Sequence, residues 1–210
     1  MDASCYKLLK EHYNSKREVR NELISLNSKL YLPKGTEYFF SDIHGEASAF
    51  LQLLKSASGN IREKTSIHFG DTLLKEEQDK LTDLVYNPKE VLHDLELKGE
   101  LTDDFLTINI HRLLSLFRFV STKYAKDYVK EKFGDLYSPI VDELLYTNDS
   151  EYNKKTYYDK LIENIVKYGA AKDFIILIAT FIQRISVDKL HVVGDIFDRG
   201  PSPQIIMDEL

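Results

Sequence analysis

The sequence predicts an α/β fold in which a parallel sheet flanked by helices is interrupted by a large helical segment. Three observations predict it. Two short apolar runs, within "YFFSDIHG" and "KLHVVGD", each end in polar residues and a glycine. The first run passes straight into an amphipathic helical pattern, the arrangement of strand–helix–strand units whose strands lie parallel. Between the two runs lie more than a hundred residues in which apolar positions recur mainly at helical spacing.

Taken in order, residues 3–30 place Leu8, Leu9, Val19, Leu23, Ile24, Leu26 and Leu30 three and four positions apart among charges, which predicts one or two amphipathic helices. Pro33 and Gly35 break that pattern ahead of "YFFSDIHG", a buried strand and a turn closed by Gly45. "EASAFLQLLKSA" (46–57) then carries Ala47, Phe50, Leu51 and Leu54 on one helical face, and "SGN" at 58–60 is its stop. "TSIHFGDTLL" (65–74) reads as a second strand, ending in Gly70 and Asp71 and completing a βαβ unit. Residues 75–172 read as a helical insertion, followed by a helix at 173–186 and the strand "KLHVVGD". The expected division is therefore 1–74, the N-terminal helices and first part of the core; 75–172, the insertion; and 173–210, the return to the core.

Composition narrows the function. Of 210 residues 43% are hydrophobic and 30% charged, which places the chain among globular proteins. A net charge of −6 lacks the basic field that accompanies nucleic-acid binding, so no nucleic-acid partner is expected. A single cysteine, Cys5, forms no intrachain disulfide and fits a reducing compartment. "MDASCYKLLKEHY" has neither the basic start nor the apolar stretch of a secretory signal. "FIILIATFI" is about half of the roughly 20 residues a bilayer span requires. The expectation is a cytoplasmic protein with no membrane segment.

The chemistry concentrates in the two loops after the strands, where open parallel sheets place ligands. In Asp42-Ile43-His44-Gly45, residues two apart in an extended segment point the same way, so Asp42 and His44 can converge while Ile43 packs inward. A carboxylate and an imidazole together suit a borderline divalent ion such as manganese, zinc or iron; the alternative is a helix-capping aspartate beside an exposed histidine. In Gly194-Asp195-Ile196-Phe197-Asp198-Arg199-Gly200, three ionisable residues fall in five positions, an arrangement costly to half-bury unless it binds metal, anion or itself. Asp195 can bridge two cations, and Arg199 offers a planar fork for two phosphate oxygens. The alternative here is a surface Asp198–Arg199 pair around a turn.

Together, D-x-H-G and G-D-x-x-D-R-G resemble the calcineurin-like metallophosphoesterases, which continue with G-N-H-E/D and later histidines. The R-G ending resembles the branch of protein serine/threonine phosphatases, dinucleoside-tetraphosphate hydrolases and class III, Firmicutes-type fructose-1,6-bisphosphatases. About 150 residues separate His44 from Asp195, which favours the last. "YFFSDIHGEASAFLQLLKSASGNIREK" and "LHVVGDIFDRGPSP" are also similar to that family's wording. Members of that family are much longer, and neither G-N-H-E/D nor a histidine after His191 occurs here. The chain is therefore expected to be an N-terminal fragment with an incomplete calcineurin-like core and half of a two-metal site.

The resemblance implies Asp42 and His44 as ligands of one Mn2+ and Asp195 as the bridge between two. It implies Arg199 as the phosphate holder and Asp198 as the residue orienting the histidine of the missing motif. The implied reaction is direct hydrolysis of fructose 1,6-bisphosphate to fructose 6-phosphate in gluconeogenesis, two cations activating water and neutralising phosphoryl oxygens. Allosteric control by metabolites such as phosphoenolpyruvate and AMP is implied too, with no residues to place it, and a homo-oligomer is left open. Two alternatives remain: another phosphatase or nucleotide hydrolase of the same branch, and a domain that contributes to assembly or phosphate binding without turnover.

Other candidates are set aside. "IHFGD" (67–71) imitates the second motif through His68 and Asp71 but lacks D-R-G, and His12, His93 and His111 lie in helical patterns without spaced partners. The tyrosines of "YTNDSEYNKKTYY" (146–158) are expected to pack against the insertion's own helices.

Overall fold

A computed structural model describes residues 3–146 and 154–210. The elements run α1 (Ala3–His12), α2 (Lys16–Lys29), β1 (Glu37–Phe40), α3 (Ala47–Lys55), α4 (Asn60–Phe69), α5 (Lys75–Tyr86), α6 (Pro88–Lys98), α7 (Asp103–Ser121), α8 (Lys126–Phe133), α9 (Pro139–Tyr146), α10 (Lys155–Lys167), α11 (Ala171–Ser186), β2 (Lys189–Val192) and α12 (Pro203–Glu209). The described residues are thus mostly helical, around a two-stranded parallel sheet in the register Glu37↔Lys189 to Phe40↔Val192.

The strand expected at 65–74 is not formed; α4 runs through Phe69 instead. Ile61, Thr65 and Phe69 are spaced by four and all buried, and the Thr65 hydroxyl donates to the Ile61 carbonyl at 2.8 Å. Burial on one helical face overrides the local β-propensity of "TSIHF". The βαβ unit closed at residue 74 is corrected with it: the crossover from β1 to β2 runs through all the helices α3 to α11. The stop at 58–60 is real, since Ala57, Ser58 and Gly59 all have positive φ and turn the chain from α3 into α4.

Two apolar cores form. The larger is built on α7 and α11, where Leu113, Leu114, Leu116 and Phe117 meet Ile175, Ile178, Phe181 and Ile182, all almost wholly buried. Phe181 stacks on Phe133 of α8 with ring centroids 3.7 Å apart. The smaller lies under the sheet, where Ile43, Ala47, Phe50 and Ile206 pack with Phe40, Leu190, Val192 and Ile196. Strand alternation puts Phe40, Leu190 and Val192 on that covered side. Phe39, on the other side, stacks on His191 at 4.4 Å and stays 69% exposed.

Asp188, just before β2, ties the start of the sheet to the residues that follow α7. Its carboxylate accepts from the Thr36 backbone N–H and from Lys123 Nζ, each at 2.5 Å, and from the Tyr124 hydroxyl. Its own N–H donates to the Thr36 carbonyl. Burial pushes Lys123 below its ordinary pKa, and the Asp188 carboxylate opposes that push. Removing one partner of a buried ion pair strands the other charge, so Asp188→Ala is expected to cost about 3–5 kcal/mol of stability in urea unfolding. The double variant with Lys123→Met should recover part of that loss; no recovery would show that the ion pair is not the source. Among the described residues no helix is long and apolar enough to cross a membrane.

Candidate active site

The two loops sit side by side because β1 and β2 are direct neighbours, so both motifs leave the same end of the sheet. Backbone bonds lock them together: the His44 N–H donates to the Asp195 carbonyl at 2.9 Å, and the Ser202 N–H to the Gly45 carbonyl at 3.1 Å. The approach is closest where Gly45 meets Gly200. A β-carbon on Gly45, whose φ is +72°, would lie 2.9 Å from the Gly200 carbonyl oxygen, and one on Gly200 would overlap the His44 carbonyl oxygen. Glycine at both positions is thus a condition of loop contact.

Asp42, His44 and Arg199 also adopt positive φ, at 54°, 50° and 74°. Such backbone is uncommon for residues with a β-carbon and persists where surrounding contacts over-determine it, as at functional sites. The βα turn is anchored from below by Ile43, buried in the smaller core. The second loop is anchored by Ile196 and by Pro203 at the first position of α12.

Donor atoms of His44, Asp195 and Asp198 lie within 4.8 Å of one another. His44 Nδ1 is 2.5 Å from Asp198 Oδ1, and Asp42 Oδ1 is 3.9 Å from His44 Nε2. The hydrogen bond with His44 holds the Asp198 carboxyl below the ordinary carboxylate range. With Nδ1–H donating to Asp198, His44 keeps its free lone pair on Nε2, on the side of Asp42. A carboxylate that fixes the tautomer and orientation of a metal-binding histidine is a recurrent arrangement. Asp42, expected as a ligand beside His44 and Asp195, lies outside the group that converges and approaches only His44 Nε2; one imidazole with the carboxylates of Asp195 and Asp198 is a donor set suited to a borderline divalent ion, so the residues present fit a metal.

The Arg199 side chain is 78% exposed, with Nε 3.3 Å from Asp198 Oδ2. Asp198 therefore lies between His44 and Arg199 and touches both. The resemblance pairs Asp198 with the histidine of a G-N-H-E/D motif; the histidine it touches in this structure is His44. The signal for it was the strand adjacency, which brings positions 44 and 198 together. A cleft of about 840 Å3 is lined by Ser48, Ala49 and Lys55 of α3 with Arg62, Tyr86 and Asn87, and none of the motif residues Asp42, His44, Asp195, Asp198 and Arg199 lines it.

Of the residues set aside, His68 and Tyr158 pack in the interior, whereas His12, Asp71 and His93 are exposed, and so are Tyr146 and Tyr157, which were expected to pack against the insertion's helices. His68 lies on α4, with Nε2 2.8 Å from the Ser115 hydroxyl and its ring stacked on Phe119, and burial pushes its pKa down. His12, His93 and His111 lie on α1, α6 and α7. Of the tyrosine cluster, residues 147–153 lie outside the described residues, while Tyr158 is buried and accepts a hydrogen bond from Arg118 at 2.6 Å.

Residues 4–210 match the family model described as Firmicute fructose-1,6-bisphosphatase. The chain belongs to this family. It is 43% identical over 204 residues to the class 3 fructose-1,6-bisphosphatase of Clostridioides difficile, covering 97% of this chain and 31% of that protein. The class 3 fructose-1,6-bisphosphatase of Clostridium acetobutylicum is also 43% identical, with 97% and 30% covered. That of Staphylococcus aureus is 42% identical over 207 residues, with 97% and 32% covered. This member of the Firmicute fructose-1,6-bisphosphatase family thus spans about a third of the length of the curated relatives it matches. No solved structure matches the chain.

Proposed function

We infer that the chain carries the metal- and phosphate-binding loops of a cytoplasmic, Mn2+-dependent fructose-1,6-bisphosphatase. The reaction is hydrolysis of the 1-phosphate of fructose 1,6-bisphosphate in gluconeogenesis. The observation that supports this reading best is the convergence of His44, Asp195 and Asp198 within 4.8 Å on neighbouring strands, in a chain of this family. On this reading β1, β2 and α3 are part of a calcineurin-like metallophosphoesterase core, and residues 75–172 are an insertion into it.

Asp42, His44 and Asp195 would hold the metal, with Asp195 at the position between two ions. When bound, such ions supply Lewis acidity and charge neutralisation at a phosphoryl group. Asp198 keeps the His44 ring in the tautomer that leaves Nε2 available. Arg199, exposed and planar, binds two phosphate oxygens through its fork and sets the phosphoryl group against the carboxylates. The Asp198–Arg199 contact limits the rotamers of the guanidinium before substrate arrives.

On this reading Arg199 contacts phosphate and Asp198 but no metal, so Arg199→Ala is expected to leave Mn2+ content intact and to cost on the order of 2–4 kcal/mol of transition-state stabilisation. The fragment alone is expected to be inactive, so the test is kcat/KM of the full-length enzyme with Mn2+ on fructose 1,6-bisphosphate, p-nitrophenyl phosphate and a phosphopeptide. Preference for the sugar bisphosphate supports the assignment. Preference for the phosphopeptide would leave a metallophosphatase of another substrate class, and metal binding without turnover of any of the three would leave a binding domain.

A further inference from the structure

Helix α2, like α1 before it, is little covered by the rest of the molecule: none of its residues is buried. Yet it is not a polar helix. Val19, Leu23, Leu26 and Leu30 recur at alternating spacings of four and three, the 3.5-residue repeat of a helix–helix seam. They are 40%, 53%, 50% and 80% exposed. An apolar stripe of about three turns left in water on a helix capped by its own Ser15 is a surface made for another helix.

The charges beside the stripe indicate which helix. Glu22 and Lys29 are the two charged residues that precede Leu23 and Leu30 by one position, on the same flank of the seam. Neither has an ion-pair partner among the described residues. If a second α2 is laid antiparallel about a twofold axis, Leu23 faces Leu26 of the second copy and Val19 faces Leu30. In that register Glu22 of each copy falls beside Lys29 of the other, giving the same pair twice. The stripe is thus complementary in charge to itself, the condition of an isologous interface.

We propose that α2 mediates self-association: two copies of this chain pair antiparallel through Val19, Leu23, Leu26 and Leu30, with reciprocal Glu22–Lys29 ion pairs setting direction and register. A 14-residue helix is about 21 Å long, short against the helix contacts of obligate dimers. Association through α2 is therefore weak and concentration-dependent, with Tyr6, Leu8 and Leu9 of α1, all exposed, available to extend it.

The test is sedimentation of the full chain from roughly 1 to 500 µM, a range that brackets weak association. The chain is expected to dimerise, and Leu23→Asp with Leu26→Asp to leave monomer throughout. Glu22→Lys and Lys29→Glu, each turning two attractive pairs into repulsive ones, should each raise the dissociation constant roughly tenfold, and the double swap should restore it to within about threefold. Leu23, Leu26 and Lys29 are exposed and Glu22 is half-buried, and none lies in a core, so unchanged helical circular dichroism is expected in every variant. A chain monomeric over the whole range, including one whose α2 amides are protected by packing within the same chain, would overturn the proposal. So would a dimer indifferent to these substitutions, or a double swap weaker than both single reversals.

Discussion

On the function proposed above, Asp195→Ala in the full-length enzyme is expected to abolish phosphate release from fructose 1,6-bisphosphate and to weaken Mn2+ binding at least roughly a hundredfold, beyond the 10–100-fold typical of losing an outer partner of a metal ligand. The substitution is clean because the link between the loops uses the Asp195 backbone: its carbonyl accepts from the His44 N–H at 2.9 Å, and alanine keeps that bond. Only the carboxylate is lost. The side chain is exposed, so its removal opens no cavity, and the smaller core of Ile43, Ala47, Phe50 and Ile206 should be untouched. Melting temperature without metal is therefore expected to stay near that of the wild type while the stabilisation conferred by Mn2+ disappears. Metal analysis and calorimetric titration, run beside Arg199→Ala, give the comparison. Equal metal loss in both variants would remove the distinction between a metal ligand and a phosphate holder.

Gly200→Ala is expected to damage the same site without touching a single donor atom. Its β-carbon would overlap the carbonyl oxygen of His44 and the backbone of Gly45, and backbone on both sides cannot swing aside as a flexible side chain can. The loops must separate, breaking the His44–Asp195 and Ser202–Gly45 backbone bonds and drawing His44 away from Asp198. Overpacking of this kind costs about 1–3 kcal/mol and displaces the neighbouring backbone. The expected signature is faster hydrogen exchange at the His44 and Ser202 amides and a loss of Mn2+ affinity. The far-ultraviolet dichroism should be retained, because the α7–α11 core lies apart. Gly99→Ala is the control: it also has positive φ, +70°, but open space around it, and should cost about 1 kcal/mol with no effect on metal. Native exchange at His44 in Gly200→Ala would show that the loops have room the structure does not give them.

Much of this was legible in the residues alone, for reasons of periodicity and turn chemistry. The apolar spacing of α2, α3 and α11 and the short strands ahead of Gly45 and Gly194 are local signals, and local signals survive in a sequence. Asp42, His44, Asp195, Asp198 and Arg199 stood out because two short motifs, each after an apolar strand, together resemble one family; D-x-H-G by itself left the helix-capping alternative open. What the sequence misjudged was "TSIHFGD". Its residues have the β-propensity of a strand, but the choice depended on whether Ile61, Thr65 and Phe69 would find one apolar wall, which no local window contains.

The tertiary structure alone decided which residues meet. Pairing β1 directly with β2 joins segments about 150 positions apart and thereby puts Asp198 on His44, Gly200 on Gly45 and Asp188 on Thr36 and Lys123. None of these contacts has a sequence signature, because each is fixed by the register of two strands and by the helices that carry the chain between them. The sequence by itself determined the chemistry available at the two turns and the helical character of most of the chain. Strand adjacency decided which imidazole nitrogen is free and which carboxylate orients the ring, since a hydrogen bond reaches only about 3 Å and only the fold brings the partners that close.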